Sequence, residues 1–207
     1  MSSPSVVQAE PIRDVKDQLG EGPLWHPGEQ ALYWVDIFGR RIHWLRPASG
    51  QHKTFGSGER ITALGWRALG GLVVTTDKEF AMWDTQTQRL VPLAAPESLA
   101  DAVRFNDGAV DPEGRFWAGT MNEEEPDAAD GCLYRLDPDG CLHTMGTGFT
   151  IANGLGWSPD GTTLYFTDTS RRTIWAYDYE AASLVDLNQP VITRVPDDDG
   201  VPDGLTV

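Results

Sequence analysis

Apolar and aromatic residues along this chain come in short runs, each entered through a turn signal. Ala31-Leu32-Tyr33-Trp34-Val35-Asp36 follows Pro27-Gly28, Leu72-Val73-Val74-Thr75 follows Gly70-Gly71, Arg115-Phe116-Trp117-Ala118-Gly119 follows Pro112-Glu113-Gly114, and Leu164-Tyr165-Phe166-Thr167 follows Pro159-Asp160-Gly161. Runs rich in β-branched and aromatic residues and bounded by Gly, Pro and Asp predict strands joined by tight hairpins. A second run follows in most units, as in Arg41-Ile42-His43-Trp44-Leu45 and Thr173-Ile174-Trp175-Ala176-Tyr177-Asp178. That makes about four strands per unit, the count expected of a propeller blade. No stretch sustains helical periodicity with caps, so the chain is expected to be almost entirely β.

The units repeat. Glu21-Gly22-Pro23-Leu24-Trp25, Thr62-Ala63-Leu64-Gly65-Trp66, Asp107-Gly108-Ala109-Val110-Asp111, Asn153-Gly154-Leu155-Gly156-Trp157 and Asp203-Gly204-Leu205-Thr206-Val207 align as one series. They recur at intervals of about 41 to 50 residues, a propeller or array period. The first strand of each blade lines the central channel, so Glu21, Thr62, Asp107, Asn153 and Asp203 are expected to face one shared space. Any one such Asn or Asp would ordinarily be read as a turn cap. Their common register favours a site, an all-oxygen nest of the kind hard divalent cations prefer.

Charge and the other reactive residues narrow the function. A net charge of −15 disfavours nucleic acid, whose binding rests on Lys and Arg neutralising phosphates. No run is long and apolar enough for a signal peptide or a membrane span, so no membrane partner and a cytoplasmic location are expected. His26, His43, His52 and His143 sit at unrelated repeat positions without ligand spacing, and neither a nucleophile elbow nor a phosphate loop is present. Cys132 and Cys141 flank the Asp137-Pro138-Asp139-Gly140 turn. Pairing Leu136 with Cys141 across that turn sets Cys132 opposite Met145, out of disulfide reach, and both thiols read as small packed hydrophobes. The tryptophans are expected to pack between blades.

Several stretches carry a family resemblance: Gly20-Glu21-Gly22-Pro23-Leu24-Trp25, Val35-Asp36-Ile37, Arg104-Phe105-Asn106-Asp107-Gly108, Asp111 through Met121, Asn153-Gly154-Leu155 and Pro202-Asp203-Gly204. Together they resemble the regucalcin (senescence marker protein) and gluconolactonase family. The resemblance runs from about Leu19 to the last residue, which leaves 1–18 as an N-terminal segment and 19–207 as a propeller domain. It implies an all-β, six-bladed β-propeller that holds one divalent cation and hydrolyses sugar (aldono)lactones. By that resemblance Glu21, Asn153 and Asp203 correspond to metal ligands, Asp203 also to the general base, and Arg104, Asn106 and Glu124 to substrate-contacting positions. Oxygen donors of this kind accept calcium, magnesium or manganese and can also hold zinc or iron.

Measured against six blades, the sequence supplies about four and the start of a fifth, and a fragment of a longer product is the expectation. An open arc leaves sheet edges uncovered, so self-association through the open end is a further expectation. Two readings compete with the lactonase: a non-catalytic calcium-binding or interaction propeller using the same ligands, and an inactive truncated fragment. Arg104 and Asn106 discriminate, because oriented substrate needs them and a structural cation does not.

Overall fold

The computed structural model describes residues 10–180, 183–184, 191–196 and 200–207. Half of the N-terminal segment expected at 1–18, residues 1–9, thus lies outside the described residues. Every named element is a strand. β1 (Gly20–His26), β2 (Ala31–Asp36), β3 (Arg41–Arg46) and β4 (Gln51–Gly56) form one antiparallel meander. β5 (Ala63–Trp66), β6 (Leu72–Thr75), β7 (Phe80–Asp84) and β8 (Arg89–Ala94) form the second. β9 (Val103–Val110), β10 (Phe116–Asn122), β11 (Gly131–Leu136) and β12 (Leu142–Phe149) form the third. In the fourth, β13 (Ala152–Trp157), β14 (Thr163–Asp168) and β15 (Thr173–Glu180) are followed by β16 (Ser183–Leu184) and β17 (Val191–Arg194), which both pair with β15. The all-β propeller arrangement expected from the pattern is what the chain adopts, with four blades.

Alternation along each strand presents one face to each neighbouring blade, and the core is a stack of inter-blade layers. Tyr33, Val35 and Trp44 of the first blade meet Leu64, Val74 and Trp83 of the second. Val73 and Phe80 meet Phe105 and Phe116, with the Phe80 and Phe105 rings 4.9 Å apart in an edge contact. Trp117 and Leu133 meet Leu155, Phe166 and Tyr177. Trp44, Trp83 and Trp117 thus pack between blades as expected, whereas Trp34 instead stacks on His43 at 4.7 Å. The close approach of inner strands requires Gly65, where a Cβ would lie 2.5 Å from Val110 Cγ2.

Aspartates at the ends of the second strands fasten the entries of the first and fourth blades. Asp36 Oδ1 accepts the Gln18, Leu19 and Gly39 N–H groups, and its Oδ2 accepts Arg41 at 2.6 Å. Asp168 does the same for the N–H and hydroxyl of Thr150. Asp111 joins two blades: it accepts Trp117 Nε1 at 2.8 Å, Arg115 Nε at 2.6 Å and the Tyr179 hydroxyl at 2.6 Å.

The cysteine hairpin departs from expectation in register. Leu136 pairs with Leu142 because the turn extends through Cys141, and one register shift between Leu133 and Tyr134 carries Cys132 on to Thr147. Both thiols are free, as expected, but Cys141 is exposed rather than packed, since it sits at the turn beside Gly140.

Candidate active site

Residues on or just before the inner strands β1, β5, β9 and β13 face a common cavity. Glu21, Thr62, Asp107, Asn153 and Asp203 all line it, together with Ile37, Asn106, Ile151 and Thr169. Its volume is about 190 Å³, room for a few waters or a small polar ring. Three of the four inner strands break register where they reach it. The ladder shifts between Glu21 and Leu24 in β1, between Asn153 and Leu155 in β13, and opposite Ala118 to Thr120 in β9. A β-bulge re-aims side chains and is enriched beside functional sites. β5 has no bulge, and the corresponding residue, Thr62, is tied to Thr75 through its backbone N–H at 2.9 Å and its hydroxyl at 2.8 Å.

The acids in this space push one another toward protonation. Burial, then the charges of Asp203 and Asp107, raise Glu21 to about 7, with the Gly22 amide and Arg104 pulling the other way. Asp107 is raised to about 6 by burial and by Asp203, although the Gly108 N–H donates to it at 2.8 Å. Asn153 donates its amide N–H to Asp203 Oδ1 and, at 3.1 Å, to Thr169 Oγ1, and its Oδ1 accepts from Gly154 N–H.

This donor set fits a hard divalent cation. Its groups are carboxylates and an amide, all oxygen-bearing, and a positive charge would offset the burial and the mutual repulsion that raise Glu21 and Asp107. Among the described residues no three acidic, His or Cys side chains form a closed ligand cluster. To offer oxygen to a cation, Asn153 would turn its amide over and give up the bond to Asp203.

The residues singled out for substrate contact are placed unevenly. Asn106 lines the cavity, held by Nδ2 to Ala152 O at 3.2 Å and by Oδ1 to Arg104 at 3.1 Å. Arg104 is buried directly behind it and bonds Glu123 Oε1 through Nε at 2.8 Å. Glu124 is exposed on the loop after β10 and does not line the cavity; its N–H is fixed by Asn122 Oδ1 at 3.0 Å. Sequence reasoning missed Thr169, Ile37 and Ile151 in the lining and Glu123 and Arg60 behind it. The first three sit just outside the repeat motifs. Arg60 stands two residues before the Thr62 motif, but its chelation of Glu123 is a contact between distant segments that no local pattern encodes.

Comparison with known proteins shows the family. The family description "SMP-30/Gluconolactonase/LRE-like region" matches residues 19–207. The chain belongs to that family. Pentonolactonase XacC of Haloferax volcanii is 37% identical over 199 residues, covering 95% of this chain and 65% of its own length. The 6-deoxy-6-sulfogluconolactonase of Pseudomonas putida is 35% identical over 186 residues, covering 90% of this chain and 64% of its own. A solved structure described as the calcium-binding protein regucalcin of Agrobacterium tumefaciens superposes with a TM-score of 0.86 at 28% identity, covering 94% of this chain and 66% of that one. The chain thus spans about two thirds of the length of these family members. Among the described residues no helix is long and apolar enough to cross a membrane.

Proposed function

We propose that this protein hydrolyses sugar lactones to aldonic acids with one divalent cation held by Glu21, Asn153 and Asp203. The observation that carries the reading is the convergence of Glu21, Asn106, Asp107, Asn153 and Asp203 on one small polar cavity. Names of relatives, a pentonolactonase and a sulfogluconolactonase, support lactones as the substrate class. A bound cation would polarise the lactone carbonyl and stabilise negative charge developing on its oxygen.

The chain's own residues supply the rest. Asp203 takes a proton from water as the water oxygen adds to the carbonyl carbon. The bond from that carbon to the ring oxygen then breaks. The proton passes to the departing oxygen, which becomes a hydroxyl of the acid. Asn106, braced by Arg104 and the Ala152 carbonyl, orients sugar hydroxyls, and Arg104 supports it from behind. Glu124 reaches the substrate from the rim. Such polar contacts set specificity, because a site built for hydroxyls penalises substrates that lack them.

A second reading is favoured by the description of the regucalcin structure as a calcium-binding protein: the same oxygens could hold calcium without turnover. One experiment separates the two. Acid release from five- and six-membered sugar lactones is followed at constant pH before and after chelation, then with calcium, magnesium, manganese or zinc restored. Turnover that disappears with chelation and returns with one cation supports the lactonase. Calcium binding with no acid release from any lactone leaves the binding protein, and full activity in chelated protein removes the cation from the reaction.

A further inference from the structure

Tyr33, Val35 and Trp44 of the first blade face the second blade, so alternation sends Trp34 of β2, His43 of β3 and His52 and Thr54 of β4 to the opposite face. Register brings them together: Trp34 pairs with His43, and His43 with Thr54. The two imidazoles lie edge to edge, tilted by 12°, with His43 Nδ1 3.1 Å from His52 Nε2 and 3.1 Å from Thr54 Oγ1. The Trp34 indole covers both, 4.7 Å from the His43 ring and 5.5 Å from the His52 ring. Asp17, on the segment leading into β1, closes the group. Its Oδ2 accepts Trp34 Nε1 at 2.8 Å, and its Oδ1 lies 3.1 Å from His43 Nε2. Those last two atoms are buried and have no other partner among the described residues.

This group can hold only a limited number of protons. A nitrogen-to-nitrogen contact at this distance needs one proton between the rings, donated by one and accepted by the other. The neutral pair carries two protons. One more leaves the contact intact and puts an N–H on both outer nitrogens, one of them toward Asp17. A second added proton sets N–H against N–H, and the rings must part. Charges around the rings come in opposite pairs: Arg13 and Asp17 on the incoming segment, Asp36 at the end of β2 and Arg41 at the start of β3, the last two bonded at 2.6 Å. Burial therefore decides. It holds both imidazoles below the ordinary 6.5, opposed at His43 by Asp17 and Asp36 and aided by Arg41, and aided at His52 by His43 and Arg13 against Asp17.

We propose that Asp17, Trp34, His43 and His52 form an acid-sensitive latch, which fastens the chain entering β1 to the first blade and opens once both imidazoles are charged. Opening releases Asp17 but not β1, because Asp36 Oδ1 separately holds the Gln18 and Leu19 N–H groups. With both folded values below 6.5, the latch stabilises fully above that pH and loses its contribution as pH falls through them.

The test follows imidazole and indole N–H resonances of the nitrogen-labelled wild-type chain by NMR as pH is lowered from neutral into the acid range, assigned with His43→Gln, His52→Gln and Trp34→Phe. His43 and His52 should titrate in two separate steps, both below 6.5, because a proton on one ring disfavours the next. The Trp34 indole N–H should keep its hydrogen-bonded shift through the first step and move to the solvent value with the second, while β1 amides stay in place. Titration of both rings independently at the ordinary value would overturn the shared proton. An indole N–H unmoved when both rings are charged would overturn the latch, as would loss of β1 resonances in that same step, which is global unfolding. Stability gives a second reading: His52→Gln retains an N–H beside His43 but cannot charge, so the rise in its unfolding constant from about pH 7 to 5 should be about tenfold smaller than in wild type. An equal rise in both would refute the assignment of His52. If a variant fails to fold, contacts between imidazole and Trp34 ring protons assign the same resonances in wild type.

Discussion

Asn153 donates a side-chain N–H to the carboxylate of Asp203, fifty positions further along the chain. The bond spans from the innermost strand of the fourth blade to the segment lying beside it, where a Cβ on Gly154 would meet the Asp203 carbonyl at 2.6 Å. Close backbone approach therefore sets the distance between the two side chains, and rotation of the Asn153 amide decides whether Asp203 is bonded to it or turned to a cation.

Two substitutions should separate cation binding from substrate orientation. Asp203→Ala removes a proposed ligand and the proposed base together, so cation content and turnover should fall in parallel. Asn106→Ala leaves the proposed ligands in place and should lower turnover by a factor of about 10 to 100, the worth of one or two oriented hydrogen bonds, with cation content unchanged. Metal analysis and acid release on the same samples check both. Full activity in the Asp203 variant would contradict the mechanism.

Cation affinity should depend steeply on pH. Free of cation, Glu21 holds its proton to about 7, through burial first and then Asp203 and Asp107, and Asp107 holds its own to about 6. A cation has to displace those protons, so calcium affinity should rise between about pH 5.5 and 8, with protons released on binding. The sign for folding follows from the same shifts. Both folded values lie above the ordinary 4.5 and 3.8, so the cation-free fold is favoured below the unfolded values and loses that stability as pH rises through about 6 to 7. Calorimetric titrations and thermal melts across this range, with and without calcium, provide the measurement; affinity independent of pH would rule the linkage out.

Asp111 should be among the most sensitive positions for stability. Burial alone would raise its pKa, but the Tyr179 hydroxyl, the Arg115 amide, Trp117 and the Arg115 guanidinium more than offset it and hold the carboxyl below its ordinary value. Asp111→Ala removes the acceptor shared by the Arg115 Nε, the Trp117 indole and the Tyr179 hydroxyl and should cost about 3 kcal/mol, whereas Tyr179→Phe, which deletes one hydroxyl, should cost about 1 kcal/mol. A depressed carboxyl stabilises above its unfolded pKa. Its contribution should fade as pH falls below about 4, and the Asp111 variant should lack that acid-side loss. Urea unfolding at neutral and acidic pH tests all three expectations.

The repeat made much of this molecule legible before any coordinates. A motif recurring in one register forces its equivalent residues onto equivalent strands, and so Glu21, Thr62, Asp107, Asn153 and Asp203 could be assigned to one space from spacing alone. Inter-blade packing by Trp44 and Trp117 followed in the same way from their place in strand runs. Features outside the repeat were not readable. Glu123 and Glu124 are neighbours in an acidic loop, and only the chelation by Arg60 and Arg104 distinguishes the one turned inward. The cysteine register failed because the turn runs one residue longer than its Asp137-Pro138-Asp139-Gly140 signal and a shift between Leu133 and Tyr134 adds another, neither with a composition signal. Tyr179 reaching Asp111 across two blades is a contact between segments far apart in sequence, and no local pattern encodes it.

The bulges at the cavity end of β1, β9 and β13 give each inner strand two parts with different obligations. Below the bulge the ladder is regular and glycine-lined, so a change of residue there is judged by the neighbouring blade. Above it the strand has left the common register, and its side chain is judged only by what occupies the cavity. Glu, Asp and Asn can therefore stand at corresponding places without disturbing the same packing beneath them. Chemistry in this protein can be rewritten one blade at a time.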